Sequence, residues 1–148
     1  MNIGKYRTHV VLAMTVLWVA ITLCGWFGKW YVGLFLSVLL MLLHMMLGAA
    51  QKGILSKKLL MYPFLTWGVV WSVGFYMAKM NSDAFMNIPP SYTILGFHPS
   101  FAWIVLCYWI GGVLTLTLGL VKYKDLWLSD TDWDAFITTV KHLNEGGK

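Results

Sequence analysis

Four histidines and two cysteines are the side chains of this sequence that could ligate a metal or act as nucleophiles, and their spacing limits what they can do. His9 and His44 fall toward the same end of two segments expected to be neighbouring helices. Two neutral imidazoles facing one another there could ligate the iron of haem b, which would make the chain a membrane anchor or electron-transfer subunit. The plainer reading places His9 at the level of lipid headgroups and has His44 donate to a carbonyl or hydroxyl within the helices. His98 and His142 lie in a loop and in the tail, too scattered to add a cluster. Cys24 and Cys107 form no C-x-x-C pair. Both fall in the outer halves of their segments, where they could approach one another, and each reads as a small buried hydrophobe. Met41, Met45 and Met46 come without a thiolate and read as core filler, so copper is not signalled. No Ser or Cys sits beside a base and an orienting acid, and no glycine-rich phosphate loop is present. The sequence is that of a non-enzyme.

The segments that must carry these residues are set by charge. Of 148 residues, 59% are hydrophobic and 11% charged, against about 45–50% and about 25% in soluble domains. No Asp, Glu, Lys or Arg occurs in Thr8 to Gly28, Trp30 to Gln51, Leu59 to Ala78 or Phe101 to Val121. Each window matches the roughly 20 residues that cross a hydrocarbon core of about 30 Å. The expected fold is an all-α integral membrane protein with four transmembrane helices, over about 8–28, 30–51, 59–78 and 100–121. Residues 1–124 form the membrane domain, 79–99 its long outer loop, and 125–148 a cytoplasmic tail with a short amphipathic helix. The first apolar run lacks a small-x-small cleavage site and reads as a retained span. Within the spans His44 is the one imidazole well inside, so a self-contained transport path is not signalled. A sodium site built from hydroxyls such as Thr66, Ser72, Thr115 and Thr117 is not demanded by their spacing.

Basic residues choose a side. Lys5, Arg7, Lys52, Lys57, Lys58, Lys122 and Lys124 flank one end of the spans, and only Lys29 and Lys79 flank the other. The positive-inside rule then puts both termini in the cytoplasm. Trp26, Trp30, Tyr31, Trp103, Tyr123 and Trp127 fall near the span ends, as headgroup-level aromatics do, with the lipid bilayer as their partner. Trp18, Trp67, Trp71 and Trp109 are deeper and are expected to pack between helices or on a partner. The net charge of +5 is spread over helix ends, which is no nucleic-acid footprint.

Three features point to contact as the chain's work. Gly111, Thr115 and Gly119 recur every fourth residue on one face of the fourth span, the spacing that lets membrane helices approach closely. The pattern leaves open whether the helix they meet belongs to this chain or another. The outer loop carries Phe85, Met86, Ile88, Tyr92, Phe97 and Pro99 and is too apolar to be simply solvated; it either folds over its own helix ends and the bilayer surface or docks a second subunit. In the tail, Trp133, Phe136, Ile137, Val140 and Leu143 form one helical stripe, with a capping box expected at Thr131 and Asp134. Because Asp130, Asp132 and Asp134 crowd its start, protein is a better neighbour for the stripe than an anionic membrane surface.

The second half also resembles a known family. Tyr62-Pro63-Phe64 opens one helix, Asn87 and Pro89 follow in the loop, and Ile94-Leu95-Gly96-Phe97-His98-Pro99-Ser100-Phe101 leads into a last helix ending Val121-Lys122-Tyr123. Over residues 59–124 this resembles the small two-helix accessory subunits found beside bacterial sodium:solute symporters. Those typically carry Pro-Phe near the start of one helix and Gly-x-Pro-aromatic at the opening of the next. Here the glycine-to-proline spacing is one residue longer, and the first hairpin and the tail have no counterpart. The resemblance implies a chain of the bacterial cytoplasmic membrane that stabilises or regulates a larger polytopic sodium-coupled transporter without binding substrate. Gly111, Thr115, Gly119, Phe97, Pro99, Trp133, Phe136 and Val140 are then the expected contact residues. The small subunit of a tripartite solute carrier, also four-helical, is an alternative, but its expected intramembrane charged motif is missing.

Overall fold

The computed structural model describes residues 1–146. Among these residues 78% of the chain is helical and no strand forms. Four helices are long and apolar enough to cross a membrane: α1 (Gly4–Trp26), α2 (Trp30–Gly48), α3 (Lys57–Ala84) and α4 (Pro99–Lys122). A fifth, α5 (Asp130–Gly146), follows in the tail. They are arranged as a row in which α1 packs on α2, α2 on α3 and α3 on α4. Within α1 no residue is buried, so its long apolar flank is open.

The ends near the basic residues are knotted together by the N-terminus. Gln51-Lys52-Gly53-Ile54 makes a tight turn with φ of 49° at Lys52 and 80° at Gly53, the paired positive φ values of a type I′ turn. The N–H groups of Ile3 and Gly4 both donate to the Gly53 carbonyl, at 2.8 and 2.9 Å. Met1 reinforces this, its ammonium donating to the Leu55 carbonyl at 2.7 Å while its carbonyl accepts from Leu55 N–H. Under this lattice Ile3, Ala49, Leu55, Leu59 and Phe64 are buried together, with Leu116, Leu120, Tyr123 and Trp127 packed against them. A membrane protein gains little from packing apolar groups that lipid would solvate equally well. Where water is the alternative environment, burial is worth about 1.5–3 kcal/mol per large side chain.

Helix α3 runs through a proline. Pro63 has no N–H to give and its ring crowds the preceding turn, so Leu60–Leu65 widens to π-helical spacing. The Thr66 hydroxyl donates to the Met61 carbonyl, 3.1 Å away, across the widened turn. Helix α4 is π-spaced over Ile104–Ile110 and again over Val113–Thr117, and the Tyr62 hydroxyl donates 2.9 Å to the Leu114 carbonyl in the second stretch. Deeper in the row, Trp71 stacks on Tyr108 with centroids 3.9 Å apart and tilts against Trp67 at 4.4 Å, while Phe35 of α2 meets Phe75 of α3. Of the four deep tryptophans, Trp67 and Trp71 pack between helices as expected. Trp18 and Trp109 point outward, which leaves them on the flanks where a partner or lipid would lie, because α1 has neighbours on one side only and α4 ends the row.

The far end is closed by a shorter loop than the sequence suggested. Lys79 and Asp83 pair one helical turn apart, so their charges continue α3 rather than end it, and the loop is Phe85 to His98. Lys79 also lies 5.9 Å over the Trp30 ring at the start of α2.

Candidate functional site

The metal and haem candidates are dispersed. Among the described residues no three His, Cys, Asp or Glu side chains gather into a cluster that could hold a metal ion. His9 is exposed, edge-on to Tyr6 at 6.4 Å. The His44 Nδ1 lies 2.8 Å from the Leu40 carbonyl, one turn back on its own helix. A carbonyl only accepts, so Nδ1 is the donor in this bond. His44 lines an apolar groove of about 430 Å³ between α1 and α2, with Trp18, Ile21, Ser37, Met41 and Met45. His9 does not line it, so the two imidazoles are not brought to one cavity. The cysteines are apart as well. Cys24 fills the α1–α2 contact against Gly33, and Cys107 the α3–α4 contact against Gly74.

The small-residue stripe on α4 is occupied from within the chain. A Cβ on Gly111 would lie 2.5 Å from Val70 Cγ1, and one on Gly119 would lie 2.7 Å from Pro63 Cβ. Thr115 is buried between them, its hydroxyl donating 2.6 Å to the Gly111 carbonyl. The sequence pattern left open which helix these three residues meet; within this chain it is α3. Pro99 is likewise occupied within the chain. It is buried at the first position of α4, where its missing N–H costs nothing, and Phe97 beside it stays exposed. The motif residues Pro63, Gly96 and Pro99 thus have structural work: the π-turn facing Gly119, a positive-φ turn position and a helix start.

The far loop is anchored by side chains whose pairing the sequence did not reveal. Asn81, nearly buried, donates to the Met77 carbonyl at 2.8 Å and accepts from the Tyr92 hydroxyl at 2.8 Å. Ser100 donates to the Ala78 carbonyl, and His98 Nδ1 caps α4 by accepting from Ser100 N–H. Phe85 stands edge-on to both Tyr92 and His98. Tyr92→Phe leaves the Asn81 carbonyl without its donor and should cost the loop about 1–3 kcal/mol of local stability. Hydrogen exchange read over residues 85–98 would rise accordingly, and unchanged protection there would remove this bond as the anchor.

Helix α5 is pinned at its start and uncovered along its stripe. Its N-cap is Ser129, whose hydroxyl accepts from Asp132 N–H at 3.2 Å. The helix begins two residues earlier than the Thr131–Asp134 box would place it, because Ser129 makes the cap and its hydroxyl also donates to the Asp132 carboxylate. Gln51 donates to Asp132 at 3.1 Å, and Trp127 Nε1 donates to the Leu120 carbonyl at 3.1 Å, so the tail folds back on the basic end. Lys124 lies 2.7 Å from Asp130, whose hydrogen bond and charge hold the fully exposed ammonium above its ordinary range. Trp133, Phe136, Val140 and Leu143 are all exposed, with Trp133 and Phe136 rings 5.7 Å apart.

No protein-family model, curated protein or solved structure matches this chain.

Proposed function

We propose that this chain is a non-catalytic accessory subunit of the bacterial cytoplasmic membrane, with both termini inside, which stabilises or regulates a larger sodium-coupled transporter. The observation that carries the reading is α5. It is a helix with a continuous aromatic and aliphatic stripe that its own chain leaves uncovered, fixed to the basic end by Gln51, Ser129 and Trp127. Its first turn carries Asp130 and Asp132. Those charges suit a helix N-terminus but are repelled by anionic lipid, so a protein is the neighbour that fits. The open flank of α1 offers a second long contact, and the spans hold no Asp, Glu, Lys or Arg with which to run a transport cycle of their own. The sodium-coupled carrier as partner comes from the resemblance over residues 59–124.

The test is purification of the tagged protein from its native membrane in mild detergent, with mass spectrometry and an absorbance scan of the eluate. A stoichiometric polytopic carrier without a Soret band is the expected result. A colourless chain eluting alone would overturn the accessory reading, and a Soret band would replace it with haem ligation through His44. The orientation has its own check. Cysteine at exposed Ser91 should react with an impermeant thiol reagent from outside intact cells, and cysteine at exposed Lys57 should not. Lys57 is preferable to its neighbour Ser56, which caps α3 by accepting from Lys58 N–H. The opposite labelling pattern would invert the topology.

A further inference from the structure

The loop at the far end contains a second tight turn, Ile94-Leu95-Gly96-Phe97, with φ of 52° at Leu95 and 79° at Gly96. It is the same type I′ geometry as Gln51-Lys52-Gly53-Ile54 at the basic end. Positive φ at the first central position favours Asn, Asp or Gly, and a leucine there is strained. The basic-end turn shows that the scaffold also accepts a charged residue, Lys52, at that position. Nothing in the turn itself therefore calls for an apolar side chain at its tip, yet Leu95 is held there 73% exposed.

The surroundings are equally one-sided. Between Asp83 and Lys122 the sequence has no Asp, Glu, Lys or Arg, although Phe85 to His98 lies outside the helices. Tyr92 anchors the loop on Asn81, Ser100 of α4 donates to Ala78, and His98 caps α4, while Asn87, Ser91 and Thr93 stay exposed. The turn's backbone pairs with itself, Ile94 N–H to the Phe97 carbonyl at 3.1 Å and the reverse at 3.0 Å. Phe97 stands edge-on to Phe101 at 5.4 Å, and Phe101 is an exposed residue of the first turn of α4. The apolar flank of the helix thus continues onto the loop without a polar break.

We propose that this turn is a membrane-interface wedge, in which Leu95 and Phe97 enter the boundary between headgroups and acyl chains of the leaflet at the far end. The inference rests on the membrane reading above. Lipid is the occupant that fits because the turn continues, through Phe97 and Phe101, the exposed and uncharged flank of α4, a helix long and apolar enough to cross a membrane. The wedge would fix the depth of the α3–α4 hairpin and resist its tilting, as interfacial anchors do.

The test is spin-label accessibility in the full chain reconstituted into bilayers, with Cys24 and Cys107 first replaced by alanine, which keeps the Cβ each uses in packing. Single cysteines at Leu95, Ser91 and Ile110 carry the label. The expected result is that residue 95 is severalfold more accessible to oxygen than to a water-soluble nickel chelate, compared with residue 91. Residue 110, on the exposed face of α4, should be strongly oxygen-accessible. A water-accessible label at 95 with a lipid-accessible label at 110 would overturn the wedge and leave the membrane reading standing. A water-accessible label at 110 would overturn both. A label at 95 shielded from both reagents would mean protein contact, and would also overturn the wedge. Leu95→Asn separates insertion from folding, since asparagine suits the turn. A label at Thr93 should become severalfold more accessible to nickel in that variant, and no change would count against Leu95 as the inserting group.

Discussion

Replacing Gly119 by alanine is expected to destabilise the α3–α4 hairpin by about 1–3 kcal/mol, the range for overpacking a well-filled contact, while the same change at Gly112 is expected to be neutral. The two glycines lie on one helix and differ only in what they face. A methyl on Gly119 would sit 2.7 Å from Pro63 Cβ and 3.2 Å from both Pro63 Cα and Tyr62 Cε1. Pro63 cannot yield by changing rotamer, because its ring is part of the backbone of a π-turn already widened around it. Tyr62 is held by its hydrogen bond to Leu114. The helices must separate, and the contact beneath the basic-end core opens with them. At Gly112 the added methyl meets only Trp71 Nε1, at 3.6 Å, an ordinary contact. Alanine there also has a helix-propensity advantage of about 1 kcal/mol. Thermal unfolding in detergent should therefore show Gly119→Ala several degrees below the parent and Gly112→Ala at or above it. Gly119→Leu should fail to give a monodisperse protein. Equal midpoints for the two alanine variants would mean that the stripe is not an intrachain contact.

That stripe illustrates what the sequence does and does not reveal. Charge-free windows locate the spans because an ionised group in hydrocarbon is costly whatever its neighbours are. They mark the limits of the apolar zone and not those of the helices. Lys79 and Asp83 satisfy one another along α3, so the helix passes its window by six residues, to Ala84. Small residues at every fourth position signal close approach, but identifying what approaches requires the tertiary fold, and here Pro63 and Val70 lie against them. The two type I′ turns could not be read either, since Lys52 and Leu95 stand where asparagine or glycine would have announced them. The bonds from Ile3 and Gly4 to Gly53 join residues about fifty positions apart and leave no local mark. On α5 the apolar period was legible, but the cap was not. Ser129 and Thr131 are both followed by Asp three residues later, so the local pattern does not choose between them; in the fold Ser129 makes the cap, and Gln51 from another loop also reaches Asp132.

Changing Trp133 and Phe136 together to serine is expected to lower recovery of the proposed carrier partner by well over tenfold without affecting folding or insertion of the chain. The two rings are the largest groups on the uncovered stripe, 49% and 56% exposed and stacked loosely on one another. Neither contributes to the buried core at the basic end, so their loss should leave the fold intact. At an interface the same two groups would be the anchors, since aromatic residues filling a desolvated pocket each contribute about 2 kcal/mol or more, and a factor of ten needs only about 1.4. Thr138→Ala provides the control. Thr138 lies on the opposite face of the helix, its hydroxyl spent on the Asp134 carbonyl, so its replacement should leave recovery unchanged. The comparison is made by quantitative mass spectrometry of the co-purified complex at equal bait loading. If the double variant retained the partner fully, α5 would not be the contact and the weight of assembly would move to the open flank of α1. If Thr138→Ala lost the partner equally, the effect would lie in the helix as a whole and not in its apolar stripe. The first-turn aspartates sharpen the distinction between protein and lipid. Raising salt should strengthen membrane adsorption of an acidic helix by screening its repulsion from anionic lipid, but should leave a contact made through Trp133 and Phe136 nearly unchanged.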